Sequence, residues 1–180
     1  RCDLSDREKL NKNSFDHCSQ KKLDAFYKEL RAGSIIPDGS FDGKVQLARE
    51  SVLEDILSGI FNEPLEAFME RLWRGKTFYR QNPNKAILFN RIAQDQGREA
   101  FPAHVYYGQS LFDPSRLSVV IDYKYNQNIE GYDSSTDWLV NEEGLAIRDE
   151  VREVRKNLYL GRAYAGKRFL LNFVLERTKN

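Results

Sequence analysis

Apolar residues follow a helical spacing near the start of the chain and a strand spacing over most of the rest. From Lys21 onward they repeat at helical intervals, and the pattern stops at Gly33, which predicts a first helix. A second helical stripe covers 51–73. Beyond Trp73, short runs rich in β-branched and aromatic residues alternate with turn residues. This order predicts helices followed by an antiparallel meander.

Seven segments carry strand patterns. They cover 45–47, 76–80, 86–92, 101–107, 117–125, 158–164 and 169–176. The segment 147–154 has two interpretations, because its apolar residues have helical spacing while the short distance to the next strand favours a hairpin. We interpret it as a strand.

The predicted fold class is therefore α+β, with N-terminal helices followed by an antiparallel β-barrel of about seven or eight strands. We expect an N-terminal extension and helix over 1–33. A barrel domain would follow over 34–180, with a helical insertion at about 50–73.

Composition limits the class of protein further. The 180 residues are 41% hydrophobic, which suits one core and one domain. Because 28 basic residues oppose 27 acidic ones, no overall charge attracts nucleic acid, and we expect no nucleic-acid partner. No run of 18 apolar residues occurs, so we expect no membrane span.

The first twenty residues are polar and contain Cys2 and Cys18. We expect a mobile or helical extension in which the two cysteines either form one disulfide or remain exposed thiols. The chain begins with Arg1, which fits a removed secretory signal as well as a trimmed chain. The localisation stays open, with a periplasmic or secreted protein favoured over a cytoplasmic one.

Neither a metal nor a cofactor is predicted. His17 and His104 are the two histidines, and neither HExxH nor CxxC spacing is present. The segment 161–167 has the glycine and lysine spacing of a phosphate loop, but Arg168 replaces the hydroxyl residue and both flanks have strand patterns. We interpret this segment as a hairpin turn.

Acidic residues on the strands are the candidates for chemistry. If 147–154 is a strand, Asp149 lies on its apolar face and points inward. Asp122 would also point inward if the polar face of its strand turned toward the interior. Together with His104, two inward carboxylates could perform acid–base catalysis. The alternative is a buried acid that an arginine or backbone amides hold for structural reasons.

An inward acid needs a partner. The fork of an arginine fits a carboxylate best, so we expect the inward cation to be one of Arg91, Arg152 and Arg162. Arg148 should then point outward, because neighbours on a strand alternate.

Aromatic side chains are the candidates for ligand contact, and simple core packing is the alternative for each of them. We expect a ligand to contact Phe41, Trp73, Tyr106, Tyr123 and Tyr159.

Several segments resemble a known family. The segment 37–43 resembles the GxWxG signature that opens small lipocalin-like barrels, with Phe41 in place of tryptophan. The segment 73–78 is similar to the WxGKxF segment of the GXWXG and DUF4334 proteins, 88–91 to the Asn-Arg that follows it, and 169–177 to their terminal strand. The resemblance implies a lipocalin-like barrel that binds small apolar ligands. It transfers no catalytic residues.

Three functions follow as hypotheses. The first is binding of a lipid or another small hydrophobic molecule in the barrel. The second is an enzyme that uses inward carboxylates for acid–base chemistry on a small apolar substrate. The third is a protein-interaction module, and association into a homodimer is left open.

Overall fold

Eight strands close into an antiparallel barrel in the computed structural model, which describes residues 1–46, 71–93 and 98–179. Each strand pairs with the next along the chain, and the first pairs with the last. The strands are β1 Gly39–Gln46, β2 Trp73–Asn82, β3 Lys85–Ile92, β4 Glu99–Gln109, β5 Leu117–Asp122, β6 Ile147–Arg155, β7 Leu158–Ala165 and β8 Arg168–Arg177.

The barrel prediction is thus confirmed, with differences in detail. The ambiguous segment 147–154 is a strand, and 161–167 ends β7 and enters a hairpin turn. β5 ends at Asp122 instead of 125, because the chain turns into a short 3-10 helix at Asn126–Asn128.

One α-helix, α1 at Gln20–Glu29, lies in the described part of the N-terminal region. The side chain of Ser19 caps it by accepting a hydrogen bond from the Lys22 amide at 3.2 Å. The predicted helical stripe at 51–73 and the insertion at about 50–73 fall mostly outside the described residues, which resume at 71. Of the predicted N-terminal helices, the described residues therefore confirm α1, and a 3-10 turn at Arg7–Lys9 precedes it.

The first nineteen residues, expected to be a mobile or helical extension, contain a 3-10 turn and pack on the barrel through three apolar side chains. Phe15 is fully buried, and Leu4 and Leu10 are nearly so. Cys2 and Cys18 form a disulfide across a separation of 16 residues. This segment and α1 cover the outward side chains of β6, β7 and β8, namely Val154, Leu158, Leu160 and Val174.

One end of the barrel is closed by the chain between α1 and β1. The Glu153 amide donates to the Arg31 carbonyl at 2.8 Å, and the Ile36 amide donates to the Pro83 carbonyl at 2.9 Å. Beneath this segment the Phe41 ring packs against Phe78 and Tyr159, with centroids 5.5 and 5.7 Å apart. The barrel is therefore filled at this end by its own side chains.

Candidate functional site

The opposite half of the barrel contains a cavity of about 230 Å³. Its lining comes from strand ends at the side where β5 connects to β6, together with the 3-10 helix Asp137–Val140 and the residues after it. Most of these side chains are apolar: Val45, Leu72, Ile92, Phe101, Leu139, Val140, Leu145, Ile147, Ala163, Leu170, Leu171 and Phe173.

A polar cluster interrupts this apolar lining, and Lys76 lies at its centre. The Lys76 Nζ donates to Asn90 Oδ1 at 2.8 Å, to the Tyr123 hydroxyl at 2.8 Å and to Asp149 Oδ2 at 3.1 Å. An ammonium has three N–H groups, so each has a partner. The side chains of Lys76 and Asp149 are almost completely buried, which makes this a buried ion pair.

Asn90 and Tyr123 complete the cluster. Asn90 Oδ1 also accepts from Trp73 Nε1 at 3.0 Å, while Asn90 Nδ2 donates to the Phe101 carbonyl at 2.9 Å and to the Tyr123 hydroxyl at 2.8 Å. The Tyr123 hydroxyl donates in turn to Asp149 Oδ2 at 3.4 Å. We call Trp73, Lys76, Asn90, Tyr123 and Asp149 the inner cluster.

Strand alternation explains why these residues meet. Lys76 lies opposite Asn90 in the β2–β3 register, and Ile147, Asp149 and Val151 project inward from β6. Aromatic rings surround the ammonium, since the Lys76 Nζ lies 5.4 to 5.6 Å from the ring centroids of Trp73, Tyr123 and Phe173. Such rings favour a cation at their faces.

Burial and the neighbouring charges shift the pKa values of the inner cluster. Burial raises the pKa of Asp149, and the ammonium of Lys76 opposes that rise. Burial alone would lower the pKa of Lys76, but the oxygens of Tyr123 and Asp149 raise it above its usual value. Burial also raises the pKa of Tyr123 to about 12. The Tyr123 phenol therefore keeps its proton at neutral pH.

The prediction for Asp149 and its partner was half right. Asp149 points inward and Arg148 points outward, where Arg148 Nη2 donates to the Gln109 carbonyl at 2.6 Å. The inward cation, however, is Lys76. Arg152 and Arg162 lie on the outer face beneath α1, and the third candidate arginine, that at 91, bonds Asp42 at 2.7 Å.

Sequence reasoning missed Lys76, although a signal was present. Lys76 and Phe78 occupy alternate positions on β2, so a lysine shares the inward face with a core aromatic residue. The same test that singled out Asp149 would have singled out its partner.

The prediction that Asp122 and His104 share the cavity with Asp149 is wrong. Asp122 and His104 lie opposite each other in the β4–β5 register, on the outer face of the barrel. There Asp122 Oδ2 accepts from the Tyr106 hydroxyl at 2.6 Å. Ile121 occupies the inward position before Asp122, and alternation sends the carboxylate outward.

The five aromatic residues proposed for ligand contact fall in three places. Trp73 and Tyr123 line the cavity. Phe41 and Tyr159 lie inside the barrel but in the packed core at its closed end. Tyr106 is on the outer face, with 37% of its surface exposed. A ligand in the cavity would therefore contact Trp73 and Tyr123 directly.

Within the described ranges, no three His, Cys, Asp or Glu side chains come together as metal ligands. No helix in the described part of the chain is long and apolar enough to cross a membrane.

Comparison with known proteins supports the fold. No family model matches the chain, and no curated protein does. A crystal structure of a protein from Thermomonospora curvata is similar, with a TM-score of 0.56 and 17% sequence identity, over 96% of this chain and 98% of that one. At this identity the similarity concerns the fold alone.

Proposed function

We propose that the barrel binds a small, largely apolar molecule in its cavity. The observation that carries the proposal is an apolar cavity of about 230 Å³ in whose wall the polar groups of the described residues form one cluster. Binding sites for small molecules have this character, in which apolar walls provide affinity and a few polar groups fix orientation. An engineered apolar cavity of about 150 Å³ holds benzene, so this one suits a guest somewhat larger than benzene.

A second candidate function is acid–base catalysis on such a guest. Asp149 favours it, because this carboxylate is buried in the cavity wall with a raised pKa and a specific charged partner, Lys76. Asp149 would accept a proton from the substrate, and Lys76 would stabilise the charge that remains. This candidate function does not involve Asp122 or His104.

We also propose kinship with the GXWXG and DUF4334 proteins. The resembling segments meet in space: Trp73, Lys76 and Asn90 all belong to the inner cluster. Gly43, the last residue of the segment resembling GxWxG, lies so close to the Trp73 ring that a Cβ at this position would come within 2.3 Å of it. Segments that depend on one another in this way support the resemblance.

Filling the cavity tests the binding proposal. Ala163 lines the cavity, whereas Ala25 lies exposed on α1. Ala163→Leu should weaken binding of an apolar probe such as 1-octanol by at least about tenfold, since the larger side chain occupies the space of the guest. Ala25→Leu should bind as the wild type does. Calorimetric titration of the three proteins measures this, and equal affinities would contradict the proposal.

Native mass spectrometry of protein purified from its own source offers an independent test. A co-purified small molecule that Ala163→Leu fails to retain would identify the natural guest.

A further inference from the structure

Resting on the proposed binding function, we infer that the cavity selects uncharged guests that donate a hydrogen bond, such as a small apolar alcohol or phenol. Guests of similar size that only accept hydrogen bonds, and guests that carry a carboxylate, are disfavoured. The inference comes from the donors and acceptors that the inner cluster has already used.

The donors of the inner cluster all have partners. Lys76 donates three hydrogen bonds, Asn90 donates two, and Trp73 and Tyr123 donate one each. These numbers equal the donor capacity of an ammonium, a primary amide, an indole and a phenol. A guest that needs a donor would have to break one of these bonds.

Most of the acceptors are occupied too. Asn90 Oδ1 accepts from Trp73 and Lys76, and the Tyr123 hydroxyl accepts from Lys76 and Asn90. Each of these oxygens therefore receives the two hydrogen bonds that its lone pairs allow.

Asp149 is the exception. A carboxylate offers about four acceptor positions, and the described residues supply Asp149 with two donors, both to Oδ2. Because Asp149 lines the cavity, its remaining capacity is available to a guest. A hydroxyl group on an apolar molecule would complete the hydrogen bonding of Asp149.

Charge favours a neutral guest as well. The ammonium of Lys76 and the carboxylate of Asp149 already neutralise each other. A second carboxylate entering the cavity would lose its hydration without gaining an unpaired cation among the described lining residues, and Asp149 would repel it.

Isomeric probes test the inference on the wild-type protein. 1-Octanol and its isomer 1-methoxyheptane match in size, but only the alcohol donates a hydrogen bond. At neutral pH we expect 1-octanol to bind at least about tenfold more tightly than either 1-methoxyheptane or octanoate, because a hydrogen bond to a charged group is among the strong ones. Isothermal titration calorimetry measures all three affinities.

A variant should reverse the preference. Asp149→Asn places an amide donor at the cavity wall and leaves the Lys76 ammonium without its counter-ion, so octanoate and 1-methoxyheptane should gain at least about tenfold relative to 1-octanol. Asp122→Asn is the matched control, because the same substitution on the outer face should leave all three affinities unchanged. Circular dichroism establishes that both variants are folded, and the wild-type comparison decides the matter by itself if one is not.

The outcomes separate the inference from the proposal on which it rests. If none of the three probes binds to the wild type, the proposed function fails and the inference with it. If 1-methoxyheptane or octanoate binds as tightly as 1-octanol, the binding function stands and the inference is overturned.

Discussion

Two adjacent acidic residues of β6 are buried on opposite faces of the barrel wall. Asp149 faces the cavity and receives two hydrogen bonds from described residues. Glu150 faces outward beneath the N-terminal segment and receives four, from the hydroxyl groups of Tyr27, Ser110 and Ser118 and from the Leu111 amide. The two residues thus differ in how fully the protein itself satisfies them.

Glu150 is completely buried, and arginine and aromatic side chains enclose it. We call Tyr27, Ser118, Glu150, Arg152 and Arg162 the outer cluster. Arg152 donates to Ser118 and to the Tyr27 carbonyl, and its guanidinium lies 4.6 Å from the centroid of the Tyr27 ring. Arg162 bonds Asp24 of α1 and stacks between the rings of Phe112 and Phe169, at 4.1 and 4.2 Å from their centroids.

The difference indicates separate roles. A buried acid with a full set of donors, covered by helix and loop, fixes how those elements dock on the barrel. A buried acid with acceptor capacity left, facing a cavity, has something to offer a guest. Burial alone therefore does not identify a functional carboxylate. The hydrogen bonds that it still lacks are the better guide.

Replacing each of the two acids by its isosteric amide should give the largest changes in the free energy of unfolding. Glu150→Gln turns an acceptor into a donor among four neutral donors, and we expect it to lower the free energy of unfolding by about 1 to 3 kcal/mol. Asp149→Asn removes the counter-ion of the buried Lys76 ammonium, so its cost should be larger, about 3 to 5 kcal/mol. Urea unfolding of both variants measures the two values. A larger loss for Glu150→Gln would contradict the role of Asp149 as the counter-ion of Lys76.

Removing the disulfide should lower the stability of the protein without changing ligand binding in the cavity. Cys2→Ser with Cys18→Ser opens a link between residues 16 apart and should lower the free energy of unfolding by about 3 kcal/mol. Binding of 1-octanol should be unchanged under conditions where the variant is folded, because the cavity lies on the other side of the wall. Alkylation of the native wild type without reductant, followed by mass analysis, checks the premise, since two labelled thiols would show that the bond is absent.

Alkaline pH should reveal the phenol of the inner cluster. The pKa of Tyr123 is about 12 in the folded protein against 10.0 ordinarily, so the folded state holds this proton more tightly than the unfolded chain does. The resulting stabilisation is complete below pH 10 and is lost as the pH rises to 12, a change of about 2 to 3 kcal/mol.

Tyr123→Phe removes that dependence. The difference in free energy of unfolding between wild type and variant, measured in urea at several pH values, should therefore shrink between pH 10 and 12. Tyr125→Phe is the matched control, because this side chain is 47% exposed and should leave the wild-type dependence intact. A difference that stays constant over this range would place the Tyr123 phenol outside the buried cluster.

The smallest effect is expected at Arg148, the neighbour of Asp149 that points outward. Arg148→Ala removes an exposed hydrogen bond to the Gln109 carbonyl and should change the free energy of unfolding by no more than about 0.5 kcal/mol. Binding of 1-octanol should also be unaffected. Thermal melts and titrations of this variant beside Asp149→Asn test the alternation along β6, and equal effects of the two substitutions would contradict it.

Local patterns in the sequence were sufficient for much of the architecture. Alternation and turn residues predicted the strands of the barrel, including the ambiguous segment at 147–154, because side-chain direction along a strand follows directly from residue order. The same rule placed Asp149 inward and Arg148 outward. Helical spacing likewise indicated α1, although the helix ends at Glu29 and not at Gly33 as predicted.

Closure of the barrel decided which strands bring their inward residues together. Lys76 and Asp149 are 73 residues apart and meet across the interior, so an inward acid in the sequence could not reveal which cation would reach it. Closure also set the faces of Asp122 and His104, because an alternating strand shows two faces and only packing decides which of them is inside. The docking of the N-terminal segment on β6 to β8 was likewise a tertiary outcome, since its buried residues are few and spaced irregularly along a polar stretch. The sequence alone therefore determined the secondary-structure elements and the relative directions of neighbouring side chains. The tertiary structure decided which distant side chains contact each other, because such contacts depend on strand register and barrel closure, which no local pattern encodes.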